Sequence, residues 1–327
     1  MNEILRRRVA MVAFMALVSV VAVVQVGCSP SGPARRGSPA GAAQTGSTAT
    51  APAPPTKVTT AAPAPPYPVT TTMVALVDTS RPTVSGGRIL STARSLTTQV
   101  WAPAVPGRWP LVVFGHGYQV VPGPYAALLR AWAADGYVVA APEFPLSDQA
   151  VAGANLDEAD IDNEPGDLRF VIDSLAAPTS AMAARIDPTR VAAAGHSDGA
   201  EAALFEAITP APAGQPAVRA VIAMSVSPLP GTTHLANPPL LVTQGDADSI
   251  NLLSQGQQTY GQATAPKYFL TLLGGGHLPP LEQGSAWLPT VIAVTEDFLR
   301  LYLAGTGSPG ALVTAGNHPP LTTLLSG

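Results

Sequence analysis

Between residues 69 and 303, short apolar runs alternate with segments of helical spacing, and this restricts the chain to few architectures. Residues 111–114, 137–141, 191–194, 218–224, 239–243 and 268–273 are nearly unbroken apolar stretches. Strands of a parallel sheet covered on both faces read this way, because neither face meets water. Between these runs, Tyr125, Leu128, Leu129 and Trp132 fall at i, i+3, i+4 and i+7, and Leu168, Val171, Ile172 and Leu175 repeat the pattern. That spacing lines one face of a helix. Pro165 suits the first turn of the second helix. Val291, Ile292, Phe298 and Leu299 mark a closing helix, residues 69–72 and 73–77 an edge strand, and 99–101 a short strand. Alternating strands and helices predict an α/β domain over 69–303, with a mostly parallel sheet and helices on both faces. Only residues 225–237 separate two late strands, which leaves no room there for a large cap. The longer connection, 142–164, is acidic and predicted to border an open cleft.

The two ends read differently. Arg6, Arg7 and Arg8 precede an almost wholly apolar stretch, 9–26, followed by Gly27 and Cys28. Residues 1–27 have the order of an export signal. A cysteine after a small residue at the end of such a segment resembles a bacterial lipobox, with Cys28 as the lipidated N-terminus, although Gln25 stands where a Leu-like residue is expected. Cleavage without lipidation and an uncleaved anchor over 9–26 are the alternatives. Residues 28–68 are dominated by Pro, Ala, Ser and Thr, too poor in large apolar side chains to offset the entropy of ordering. They read as a semi-stiff spacer or a passive tail. Residues 304–327 form a Gly-, Pro- and Thr-rich tail whose apolar groups, 311–313 and 321–325, have no assigned place.

Composition removes several function classes. Hydrophobic residues make up 46% of the 327 and charged residues 12%, ample for a buried core. A net charge of −4 argues against nucleic-acid binding, which needs a basic stripe. The chain carries neither a phosphate-binding loop nor a C-x-x-C pair, and its single cysteine excludes an intramolecular disulfide. No cofactor or metal is implied. Asp157, Glu158, Asp160, Asp162 and Glu164 read as a solvated acidic loop in preference to a Ca²⁺ site.

The chemistry converges on Gly195-His196-Ser197-Asp198-Gly199, a G-x-S-x-G sequence between an apolar strand and an alanine-rich helix. At such a strand-turn-helix junction a serine hydroxyl is held out at the top of the sheet as a nucleophile; the alternative is an ordinary helix N-cap. A serine nucleophile needs a base, and the base an orienting acid, in the chain order Ser, acid, His. The loop after 240–243 offers Asp246 and Asp248; Asp248 lies further out and is favoured, with Asp246 assigned to loop amides. His277 follows Gly274-Gly275-Gly276 at the end of a late strand and is the expected base. His196 is expected to be structural, His116 to brace its loop, and His234 and His318 lie in the wrong places. The backbone amides of Asp198 and Tyr118 are the expected oxyanion donors.

Together with 77–83, 110–117, 136–142 and 187–191, these motifs make the chain resemble the α/β-hydrolase superfamily. More narrowly, it is similar to cap-less bacterial serine esterases related to dienelactone hydrolase, chlorophyllase and cutinase-like polyester hydrolases. The resemblance implies an α/β-hydrolase fold with about eight strands and hydrolysis of carboxylic esters through an acyl-serine. It also supports Ser197, Asp248 and His277 in their roles. Asp198 departs from the neutral or bulky residue more common at that position, and a carboxylate there predicts a preference for neutral acyl esters. The expectation is an exported serine carboxylesterase acting at the outer face of the membrane as a lipoprotein, or secreted. The competing readings are an envelope acyltransferase with the same triad and a non-catalytic envelope protein.

Overall fold

The computed structural model describes residues 64–229, 231 and 234–327. The expected export signal, Cys28 and nearly all of the spacer lie outside the described residues.

One nine-stranded sheet organises the domain, in the order β1-β4-β6-β5-β7-β8-β9-β10-β11. Strands β5 (Trp109–Gly115), β6 (Val138–Pro142), β7 (Ile186–His196), β8 (Val218–Met224), β9 (Leu240–Gly245) and β10 (Lys267–Leu272) run parallel. At one edge β1 (Val69–Asp78) and β4 (Arg94–Pro103) join antiparallel; at the other, β11 (Thr322–Ser326) joins β10 antiparallel. The period-2 alternation of strand side chains divides the core into two layers. Val112, Phe114, Ala192, Ala194, Ile222 and Leu241 face α1 (Ala126–Asp135) and α6 (Leu288–Leu299), whose Trp132, Val294 and Phe298 are buried against them. Leu111, Val113, Val191, Ala193, Val221 and Val242 face α3 (Glu164–Ala176) and α4 (Asp198–Ile208). Leu168, Val171, Ile172 and Leu175 of α3 are fully buried there, each stabilising the fold by about 1.5–3 kcal/mol.

The sheet has one strand more than the eight expected, and that strand comes from the tail. Beyond the closing helix, α7 (Pro309–Gly316) is capped by Ser308 and the chain returns as β11, held by a bond from Thr322 Oγ1 to the Gly316 carbonyl. The short strand expected at 99–101 lies within the ten-residue β4, and residues 69–78 form a single strand. A two-stranded hairpin, β2 (Thr83–Ser85) and β3 (Arg88–Ser91), lies outside the main sheet and turns at Gly86 and Gly87, both at positive φ. The 142–164 connection carries only the one-turn helix α2 (Gln149–Ala152) and two 3-10 turns. Among the described residues, no helix is long and apolar enough to cross a membrane.

The expected acidic loop is tied to the core. The buried Arg94 guanidinium from β4 grips Asp160 with two bonds of 3.0 and 2.7 Å and Asp167 with two of 2.7 and 2.6 Å. Arg81 adds bonds to Asp167 and Asp78, each 2.7 Å. Asp157 caps the turn beginning at Glu158. Among the described residues, no group of three or more His, Cys, Asp or Glu is arranged to hold a metal ion.

Candidate active site

Ser197 stands between β7 and α4 at φ 56° and ψ −125°, a backbone conformation that L-residues rarely adopt. Such conformations cost on the order of 1–3 kcal/mol and persist only where the surroundings enforce them. Here the enforcement is close packing. A Cβ on Gly195 would come within 2.1 Å of the Gly199 carbonyl oxygen, and one on Gly199 within 2.2 Å of the Gly115 carbonyl oxygen. The start of α4 therefore presses directly onto β7 and β5, and the turn between must be sharp. The Ser197 N–H is fixed on the Met224 carbonyl at 2.9 Å. Its side chain makes no capping hydrogen bond, so the serine does not serve as an ordinary N-cap.

Asp248 lies on the loop between β9 and α5 (Leu253–Gln262), its side chain fully buried. Oδ1 accepts the N–H groups of Ile250 and Asn251 at 2.9 and 3.0 Å. Oδ2 accepts Gln244 Nε2 at 3.0 Å and His277 Nδ1 at 2.8 Å. Burial pushes this carboxyl's pKa up, but the hydrogen bond and charge of His277 and the two amides outweigh it and hold it below the usual value. Asp246 is exposed and accepts the Gly274 N–H at 2.6 Å, closing the two loops on each other. Bonds from Ala247 N–H to the Gly275 carbonyl (3.0 Å) and Asp246 N–H to the Leu272 carbonyl (3.2 Å) do the same.

With Nδ1 committed to Asp248, His277 keeps Nε2 for other partners. Its carbonyl accepts His196 Nε2 at 3.0 Å, and the two imidazole rings lie 4.5 Å apart. The residue that precedes Ser197 thus carries His277. His196 is buried, with Nδ1 2.9 Å from the Tyr125 hydroxyl, and burial together with His277 pushes its pKa down to about 3. It is a neutral spacer. Among the described residues, no hydrogen bond joins Ser197 Oγ to His277, whose ring is bonded through Nδ1 to Asp248.

The loop after β5 passes over the serine. A Cβ on Gly117 would sit 3.1 Å from the Ser197 Cβ. His116 holds this loop: it is buried, its Nδ1 lies 2.9 Å from the Gly117 carbonyl, and Nε2 accepts the Phe144 N–H at 3.1 Å. Burial lowers its pKa, in keeping with the neutral tautomer that this pairing requires. The Gly117 N–H points to the Tyr125 hydroxyl at 3.3 Å, whereas the Tyr118 N–H donates to none of the described residues. His234 is exposed and His318 sits in the turn before β11, both apart from this cluster.

Two supporting residues carry no distinctive sequence signal. Gln244 reads as the first residue of the loop after 240–243 but lies in β9, and Tyr125 reads as part of a helix face. A hydroxyl at the tip of a fully buried tyrosine, which must find a partner, is the one hint available for Tyr125.

A family model described as chlorophyllase matches residues 74–253, more than half of the chain. It spans β1 to the start of α5, including Ser197 and Asp248, and stops before His277. No curated protein matches the chain.

Proposed function

The chain belongs to the chlorophyllase family, a group of α/β-hydrolases acting on ester bonds, and from that premise we propose that it is an exported serine carboxylesterase. The observations that carry the proposal are a strained Ser197 whose side chain makes no cap bond, and a His277 whose Nδ1 is pinned by a buried carboxylate and whose carbonyl is held by His196, the residue before Ser197. In the proposed cycle His277 Nε2 takes the Ser197 Oγ proton as Oγ bonds to the acyl carbon. The carbonyl π electrons move to its oxygen, which the N–H groups of Tyr118 and Asp198 stabilise. The intermediate collapses, breaking the bond to the leaving alcohol, which takes the proton from His277. A water that His277 deprotonates then attacks the acyl carbon, and the second collapse breaks the bond to Ser197 Oγ, which takes that proton back from His277. Asp248 fixes the Nδ1–H tautomer and offsets the imidazolium charge.

Two finer proposals rest on the sequence. Residues 1–27 direct export and Cys28 carries a lipid anchor, with the Pro-rich stretch to 68 holding the domain off the membrane. The Asp198 carboxyl next to the nucleophile biases the site towards neutral acyl esters. A fluorophosphonate probe tests the mechanism: it is expected to add one label per chain, on Ser197. Labelling elsewhere, or none in folded protein, refutes it. An added alcohol acceptor separates hydrolysis from acyl transfer, since a transferase yields the new ester and a hydrolase the free acid.

A further inference from the structure

The helix that packs against α4 begins with a carboxyl group that this mechanism leaves unused. Glu164, the first residue of α3, is completely buried. Its Oε1 accepts the Ser147 hydroxyl, and its Oε2 is buried with no hydrogen-bond partner among the described residues. The Ser147 carbonyl accepts the Gln119 N–H at 2.8 Å, and Gln119 follows Tyr118 in a turn held at φ 61°. On the other side α3 packs on α4, and Asp198, at the head of α4, is the charged group that acts most strongly on Glu164. One acid therefore lies between the two elements that carry the proposed oxyanion donors.

We infer that Glu164 is a positioning residue: as the neutral acid it ties the Tyr118-Gln119 turn to the nucleophile turn through Ser147 and spares the oxyanion a second negative charge beside Asp198. The inference rests on the esterase reading. A buried carboxylate with an unpaired oxygen is far costlier than the neutral acid. The neighbouring charges press the same way. Asp198 at the start of α4, Asp160 in the preceding 3-10 turn and Asp167 on α3 itself all disfavour ionisation of Glu164. The nearby cations are committed elsewhere, Arg94 to Asp160 and Asp167, Arg81 to Asp78 and Asp167. Glu201, further along α4, is a buried acid as well, and His116 on the oxyanion loop has its Nε2 3.9 Å from Asp148. Burial first, and Asp198 second, raise the pKa of Glu164 well above the ordinary glutamate value.

Raising the pH then ionises Glu164 and places a second negative charge near Asp198 at the head of α4, while the bond donated by the Ser147 hydroxyl is retained. Because Glu164 does not touch substrate, kcat falls while KM stays. The test is the pH profile of kcat and KM on a neutral p-nitrophenyl ester, for the full chain, Glu164→Ala and Glu164→Gln, with Ser197→Ala as the blank. Glu164→Ala is expected to lose at least about tenfold in kcat with KM within about twofold. The isosteric Glu164→Gln is expected to restore kcat to within about threefold of wild type and to lack its loss at higher pH. Tm gives a readout independent of turnover. A group whose pKa is raised on folding contributes stability below its unfolded pKa and loses it as pH rises through its folded pKa. Wild-type Tm is thus expected to decline with pH more than that of Glu164→Gln, on top of a decline from Glu206 and Glu296, both pushed up to about 7, that the two proteins share. Equal pH dependence of kcat and of Tm in wild type and Glu164→Gln, or a Gln variant as impaired as the Ala variant, overturns the inference. Wild-type turnover that does not depend on Ser197 would instead overturn the esterase reading, and the Tm comparison would still judge Glu164.

Discussion

Replacing Asp248 by Asn tests the acid assignment against its neighbour Asp246. Four donors converge on the Asp248 carboxylate: the amides of Ile250 and Asn251 on one oxygen, Gln244 and His277 on the other. An asparagine keeps a single acceptor oxygen. If that oxygen stays with the loop amides, its NH₂ group faces His277 Nδ1, which must become an acceptor, and the ring proton moves to the nitrogen needed as base. If the oxygen turns to His277, the NH₂ faces two backbone N–H groups instead. Either way two donors lose their acceptor. Hydrogen bonds to charged groups contribute about 1.5–3 kcal/mol each, so the fold loses a few kcal/mol. The larger effect is on turnover: a wrong tautomer in a Ser-His-Asp site costs on the order of 10⁴ in kcat, equivalent to about 5 kcal/mol of barrier. The assay is kcat on a neutral p-nitrophenyl ester, with thermal midpoints in parallel. Asp246→Asn, which changes an exposed side chain that accepts the Gly274 N–H, is expected to stay within about threefold of wild type. The pH dependence separates the two further. The folded pKa of Asp248 is depressed, so its stabilisation is present above its unfolded pKa and is lost as pH falls through the folded value. Asp248→Asn should flatten that acid limb of the Tm profile. Retention of kcat within tenfold, or an Asp246→Asn variant equally impaired, would refute the reasoning.

Arg94→Leu leaves Asp160 and Asp167 buried without their shared cation and is expected to destabilise the domain by about 3–5 kcal/mol; an unchanged urea midpoint would show that the network is not stabilising. Asp198→Asn is expected to raise the ratio of kcat/KM on an anionic ester to that on a matched neutral ester, most at low salt where charges are least screened. An unchanged ratio would remove Asp198 from the account of specificity.

Much of the site is legible in the sequence because its parts recur at one kind of place, the carboxyl ends of parallel strands. Ser197 follows β7, Asp248 follows β9, His277 follows β10, and each strand announces itself as an apolar run. The elements that escaped the reading lack that signal. β4 begins at Arg94, a charge that ends any apolar run, yet Arg94 points inward to two carboxylates from far along the chain. Asp160 and Glu164 read as solvated for the same reason: their partners, Arg94 and Ser147, are brought to them only by tertiary packing. β11 is short and half polar, and its pairing with β10 depends on the chain first reversing through α7. Local pattern identifies residues that carry their context along the chain, whereas buried charge pairs and edge pairing depend on distant partners.

The central claim is that Ser197 forms the covalent acyl intermediate. Its most direct test is pre-steady-state hydrolysis of a p-nitrophenyl ester by wild type and Ser197→Ala at equal, verified fold. Wild type is expected to release a burst of nitrophenol approaching one equivalent per chain, and Ser197→Ala to show no burst and a kcat lower by a factor on the order of 10⁴ or more. Equal turnover by the two proteins would contradict the account.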